Sequence, residues 1–294
     1  MSASASPAAT KKAGKILRLP HGRRLRLGRV PNDLPCIMGI VNVNRDSFFE
    51  GSRKPDPTSA VEAALDMVRL GAEIVDFGAE STRPGSTEIE VDEELARLLP
   101  AIEGFRAVSD AVISVDTRHP EVAEAALRAG ADIVNDIEAL ARPGMADIVA
   151  RAEAAVVLMH MQGTPQTMQR APSYADCLEE VYSFLEKAAE RALEAGIAQE
   201  AIIIDPGIGF GKLKEHNLVL LKGIDRLKNL GYPVLIGVSR KRLIGELTGR
   251  DVPERLAGSL GAALAAWLNG ADIIRVHDVA PTIDTLRAFR EVVR

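Results

Sequence analysis

Ile202-Ile203-Ile204-Asp205-Pro206-Gly207-Ile208-Gly209-Phe210-Gly211-Lys212 is an apolar run that stops at a carboxylate and then breaks into glycines. Three β-branched residues before Asp205 suit a strand buried on both faces, as in a parallel sheet covered by helices. The proline and the glycines at 207, 209 and 211 require a tight loop, because glycine tolerates positive φ and lets backbone amides approach a ligand. A buried strand thus delivers one acidic side chain to the mouth of a pocket. The same design recurs along the chain. Strands are predicted at 37–42, 73–78, 112–116, 132–136, 155–160, 202–205, 234–238 and 272–276. Helix-period segments follow them near 58–70, 91–106, 120–129, 144–152, 174–195, 215–229, 253–268 and 281–292. Eight strand-helix units with short connections and one composition regime predict an α/β fold, a single-domain (β/α)8 TIM barrel.

An internal echo supports that count. Gly71-Ala72-Glu73-Ile74-Val75, Gly130-Ala131-Asp132-Ile133-Val134 and Gly270-Ala271-Asp272-Ile273-Ile274 repeat one phrase, a helix-ending glycine followed at once by a strand. The alternative, an open doubly wound sheet, calls for a nucleotide fingerprint at its first turn, and none follows Asn42. With 47% hydrophobic but only 4% aromatic residues, the core must be built from Ala, Val, Ile and Leu. A net charge of −5 provides no footprint for nucleic acid. Cys36 and Cys177 lack metal-ligand spacing, which fits a reducing, cytoplasmic setting, and no apolar run approaches the roughly 20 residues of a membrane span. The first 32 residues lack acids and carry several Lys and Arg, a trait shared with transit peptides. The reading adopted is a disordered tail over 1–14, a hairpin within 15–34 that turns at His21-Gly22, and the barrel over 35–294.

In a barrel the C-terminal strand ends open on one face, where active sites lie. That face should carry Asn42, Asp76, Asp116, Asn135, Asp136, His160, Asp205, Ser239, Arg240, Lys241, Arg275 and His277. Asp116, Asn135 and Asp205 suit a planar, nitrogen-rich heterocycle that offers several N–H donors, although an acid such as Asp116 serves equally well as a cap for the next helix. Arg275, His277 and Lys241 follow the last two strands, where such barrels often hold phosphate. Two polar loops, Asn44 to Arg53 and Glu80 to Ser86, read as lids over a substrate.

From about Pro35 onward the chain resembles the dihydropteroate synthase family. The resemblance rests on Met38-Gly39-Ile40-Val41-Asn42-Val43, Asp46-Ser47-Phe48, Glu80-Ser81-Thr82-Arg83-Pro84-Gly85, Ser114-Val115-Asp116-Thr117, Val134-Asn135-Asp136-Ile137 and Met159-His160-Met161. It continues through the glycine loop to Ser239-Arg240-Lys241 and Arg275-Val276-His277-Asp278-Val279, in the family's order. It implies condensation of a hydroxymethyl-dihydropterin pyrophosphate with 4-aminobenzoate in folate biosynthesis. Asp116, Asn135, Asp205 and Lys241 would hold the pterin, and Met159 would pack on its face. Asn42, Thr82, Arg83, Arg275 and His277 would surround the pyrophosphate, with Asn42 near a Mg²⁺. Phe48, Pro84 and Phe210 would wall the aminobenzoate slot, and Ser239 and Lys241 with the following helix start would flank its carboxylate. Asp116, Asp205, Lys241, Arg275 and His277 are the residues expected to carry catalysis. The family resemblance also implies a homodimer, with the apolar stretch Leu256 to Trp267 either deeply covered or pressed against a second subunit.

The chain departs from the family in loop one, where Asn44-Arg45 stands in place of Thr-Pro. Losing that proline frees φ and restores an N–H, so the lid should be looser or differently shaped. Phe77-Gly78-Ala79 replaces a more glycine-rich turn, and Arg242 stands where many relatives carry Ser. Two other activities fit the pterin-holding residues: a silent pterin-binding paralogue, and a methyltetrahydrofolate-binding methyltransferase barrel. Thr82-Arg83-Pro84-Gly85 and the Arg275/His277 pair, which suit a diphosphate, count against the second.

Overall fold

The echoed phrase is a repeated joint between neighbouring strands. Glu73, Asp132 and Asp272 each donate a backbone N–H to a carbonyl one strand back, at Ile37, Ile113 and Val234. Each also accepts, through its side chain at 2.9 Å, the N–H of that same residue. The preceding glycines turn there with φ of +107°, +107° and +104°, a region that side chains rarely adopt. The acid thus clamps the start of its own strand to the start of the previous one, three times over.

The computed structural model describes residues 15–27, 34–43, 57–79 and 89–293. A hairpin of β1 (Lys15–Arg18) and β2 (Arg24–Leu27) precedes eight parallel strands: β3 (Cys36–Asn42), β4 (Ile74–Gly78), β5 (Val112–Asp116), β6 (Ile133–Asp136), β7 (Ala155–Met159), β8 (Ile202–Asp205), β9 (Leu235–Ile236) and β10 (Ile273–Val276). They pair in the order β8-β7-β6-β5-β4-β3-β10-β9, and a parallel bridge from Ile204 to Val234 joins the two ends. The result is the predicted barrel. The helices are α1 (Pro57–Arg69), α2 (Val91–Arg106), α3 (Pro120–Arg128), α4 (Met145–Arg151), α5 (Cys177–Glu194), α6 (Lys214–Lys222), α7 (Ile224–Lys228), α8 (Arg242–Thr248), α9 (Leu256–Leu268) and α10 (Val279–Val292). Leu17, Leu19 and Leu27 of the hairpin join the barrel's own apolar core.

The hairpin docks on the clamp acids. Arg23 donates to Asp132 at 2.6 Å and Lys15 lies 3.9 Å from Asp272, so two basic side chains neutralise carboxylates at the strand-start end. That leaves the other end of the barrel for chemistry.

Several boundaries differ from the sequence reading. The seventh barrel strand is only Leu235–Ile236, because Pro233 has no N–H to give a ladder and Gly237 leads straight into the turn at Val238. The single helix expected over 215–229 breaks at Gly223, where a Cβ would lie 2.7 Å from Leu178. Helix α8 was not foreseen, whereas α5 starts only at Cys177 because Asp176 caps it through Leu178 N and Glu179 N. The proposed tail over 1–14, the end of the hairpin segment at 28–33 and both lid loops lie outside the described residues.

Candidate active site

Alternation along the strands sends Asp76 inward from β4, fully buried, one strand from Asp116 at the end of β5. Arg275, on β10, reaches across to both. Its Nε donates to Asp76 Oδ2 at 2.6 Å and its Nη2 to Asp116 Oδ2 at 2.7 Å. Asn135 on β6 donates to the same Asp76 oxygen at 3.1 Å. Burial alone would lower the Arg275 guanidinium, but Asp76, Asp116 and Asp205 together hold it above the usual arginine range.

Lys241 completes the group from the turn after β9. Gly237 lies beside both cations: a Cβ placed there would be in ordinary van der Waals contact, 3.7 Å from Lys241 Nζ and from Arg275 Cβ. Lys241 donates to Ile208 O at 2.6 Å, and its ammonium stands 4.7 Å from the centre of the Phe210 ring. Burial pushes it down to about 8, against the pull of Asp205 and Asp116. Asp205 is raised by burial, with Lys241 as the strongest opposing influence. Arg240 holds Lys241 in place from a positive φ of 56°. That conformation costs a side chain roughly 1–2 kcal/mol, and a two-bond grip on Asp278 with an N–H bond to Ser259 Oγ fixes it.

Five predicted residues, Asp116, Asn135, Asp205, Lys241 and Arg275, therefore meet at one mouth, with Phe210 beside them. Met159 is buried at the end of β7, in register with Asp205. Ser239 Oγ accepts the backbone N–H of His277 at 3.2 Å and lies 3.1 Å from its Nδ1, so these two form a second pair after β9 and β10. Asn42 is exposed at the end of β3. Phe48, Thr82, Arg83 and Pro84 lie outside the described residues.

Other strand-end residues turn elsewhere. Asp136 accepts from Glu138 N and Leu140 N, which makes it a turn cap, and burial raises it to about 6. His160 packs edge-on against Phe184 of α5 at 4.8 Å. The glycine loop also corrects an expectation. All three glycines take positive φ, but the Gly207 amide bonds to Asp205 Oδ1 and the Gly209 amide to Asn217 Oδ1. These two amides serve the scaffold. Asp76 was placed at the mouth by the sequence reading but given no role there, yet it receives both Arg275 and Asn135.

A family model described as pterin binding enzyme matches residues 38–277. Dihydropteroate synthase of Escherichia coli K12 is 45% identical over 253 residues, covering 86% of this chain and 90% of that one. This chain belongs to the dihydropteroate synthase family of pterin-binding enzymes. The family's Haemophilus influenzae enzyme is 41% identical over 257 residues, 87% of this chain and 94% of its own. Among solved structures, a Xanthomonas albilineans dihydropteroate synthase with 4-aminobenzoic acid superposes with a TM-score of 0.87 at 46% identity, covering 95% of this chain and 98% of that one. A Yersinia pestis synthase with a sulfonamide drug gives 0.87 at 39% identity, over 95% and 99%. Two departures from the family lie in described residues: Phe77-Gly78-Ala79 is buried at the end of β4, and Arg242, at the start of α8, pairs with Glu246 at 2.7 Å on the exposed helix face.

Proposed function

We infer that this chain joins 6-hydroxymethyl-7,8-dihydropterin pyrophosphate to 4-aminobenzoate, giving 7,8-dihydropteroate and pyrophosphate. The observation that carries this reading is the shared mouth in which Arg275 bridges Asp76 and Asp116 beside Lys241 and Asp205. A Xanthomonas albilineans structure in complex with 7,8-dihydropteroate, 44% identical with a TM-score of 0.82 over 92% of this chain and 97% of that one, supports it. Asp116, Asn135 and Asp205 suit the N–H edge of the pterin, Lys241 suits its carbonyl and ring nitrogen, and Met159 lies where it would meet the ring face. Arg275, His277, Asn42, Thr82 and Arg83 would take the diphosphate. Phe48, Pro84 and Phe210 would wall the aminobenzoate slot, and Ser239 with Lys241 and the start of α8 would meet its carboxylate.

Chemically, departure of the diphosphate leaves a methylene cation conjugated to the pterin. Buried carboxylates beside the ring stabilise that charge, and the aniline nitrogen then attacks and loses its proton. Closure of the two lid loops would keep water from capturing the cation. Among the described residues there is no group of three or more His, Cys, Asp or Glu suited to a metal, and none of them bonds to the Asn42 side chain. One neutral oxygen fits Mg²⁺, which is usually held by few protein ligands plus substrate phosphates. Asn42 would hold it, and bound there it would supply neutralisation of the leaving group.

The exposed small-residue stripe Ala257, Gly261 and Ala265 on α9, flanked by Leu247, Val252 and Leu268, supports a homodimer through this face. No helix among the described residues is long and apolar enough to cross a membrane. Both cysteines are buried and unbridged, which supports a reducing cytoplasm. The test is pyrophosphate release. It should require both substrates and stop in Asp205→Asn and Lys241→Met, with pterin binding followed by titration calorimetry. Pterin binding without release would leave the silent-paralogue reading instead.

A further inference from the structure

Behind the glycine loop lies a buried cation that the reaction does not use. Lys212, only 3% exposed, directs its ammonium at three acceptors: His160 Nδ1 at 2.9 Å, Phe210 O at 2.9 Å and His160 O at 3.3 Å. The loop presses on the segment after β7 too closely for side chains. A Cβ on Gly207 would stand 1.9 Å from His160 O, and one on Gly211 would stand 2.4 Å from Gln162 O. The remaining carbonyls are tied in the same way, Gly209 O by Gln169 at 2.7 Å and Gly211 O by Tyr174 OH at 2.8 Å. On its other side the loop presents the Phe210 ring to Lys241 and the Ile208 carbonyl to the same ammonium.

We propose that Lys212 is a positioning residue for the 4-aminobenzoate half of the reaction, riveting the glycine loop to the end of β7 so that Phe210 and Ile208 stand correctly against Lys241. The proposal rests on the functional reading above. The charged amine has three hydrogens for three acceptors, and the neutral amine has only two. The groups around it are His160 just after β7, Tyr174 ahead of α5, Cys177 at the start of α5, Asp205 on β8 and Lys241. Burial, aided by Lys212, pushes His160 down to about 3, so its Nδ1 is free to accept. Burial lowers Lys212 itself to about 7, against the pull of Cys177 and Asp205. Raising the pH through 7 therefore removes one rivet before Lys241, at about 8, loses its own charge.

The experiment measures pyrophosphate release by the full chain from pH 6 to 9, with each substrate varied in turn. In the unsubstituted protein the KM for 4-aminobenzoate should rise as pH passes upward through about 7. Lys212→Met should raise that KM roughly tenfold at pH 6, the size of one bond to a charged donor, change the KM for the pterin substrate less than about twofold, and abolish the inflection near 7. Gln169→Ala removes a half-buried tie on the same loop and should raise the aminobenzoate KM about threefold. It decides the matter if Lys212→Met does not fold. A rise in both KM values together, or an unshifted aminobenzoate KM in the folded variants, overturns the proposal. Absence of turnover in the unsubstituted protein overturns the functional reading instead.

Discussion

Asp76→Asn is the sharpest probe of how the site is held together. Asp76 is fully buried, and one of its oxygens receives Arg275 at 2.6 Å and Asn135 at 3.1 Å, while Oδ1 is buried with no hydrogen-bond partner among the described residues. Asparagine keeps the shape and one acceptor oxygen but removes the charge. Bonds to a charged group contribute about 1 kcal/mol more than neutral ones, so two of them lose about 2 kcal/mol. Leaving Arg275 with one fewer counter-charge in a site it exposes by only 20% adds to this, short of the roughly 3–5 kcal/mol for breaking a buried pair outright. A loss of about 3 kcal/mol should lower the melting temperature by about 5 °C or somewhat more in a chain of this size. Arg275 would then lean harder on Asp116, whose Oδ2 it already holds, and compete with the pterin for that carboxylate, weakening pterin binding about tenfold. Circular dichroism melts and calorimetric titration of the pterin pyrophosphate read the two effects. Asp116→Asn, which weakens the Arg275 bond at 2.7 Å, should cost about 1 kcal/mol or more of stability. A variant at position 76 that melts and binds like the unsubstituted protein would show that Arg275 takes its position from some other contact, and the account of the mouth would fail.

Gly207→Ala should abolish soluble folding or turnover, since its Cβ would meet His160 O at 1.9 Å from a φ of +69°. Gly196→Ala, at φ +93° in open space, should cost only about 1–2 kcal/mol in a urea melt. Asp132→Ala strips Arg23, Arg106 and the Ile113 amide of their shared acceptor and should destabilise by about 3–5 kcal/mol, with the hairpin's amides exchanging faster with deuterium. Lys241, at about 8 in the fold against an ordinary 10.5, should make pterin affinity fall as pH rises through 8. The sign for stability is opposite: between about 8 and 10.5 the unfolded chain binds more protons than the folded one, so this lysine makes stability rise with pH across that window. Melts of Lys241→Met should lack that rise.

The barrel could be read from sequence because its grammar is local. Strands buried on both faces leave continuous apolar runs, and the phrase at Gly71, Gly130 and Gly270 marks each joint where a helix ends and an acid clamps the next strand. What escaped was set by neighbours distant in the chain. Gly223, at the break between α6 and α7, lies so close to Leu178 that no Cβ fits, and the seventh strand is short because Pro233 and Gly237 flank it. Capping and site residues look alike in one dimension. Asp136 and Asp205 both end apolar runs and both accept amides of their own turns, but only Asp205 also faces Lys241.

The order of chemical groups along the chain therefore fixed the fold class and named Asp116, Asn135, Asp205, Lys241 and Arg275, because a strand's end and its last polar residue are both properties of a short segment. Tertiary structure alone decided that Arg275 spans two acids, that Asp76 anchors it, and that Lys212 stands behind the loop. Those are contacts between segments 52 to 199 residues apart, and they arise only when the barrel closes and brings its strand ends to a common rim.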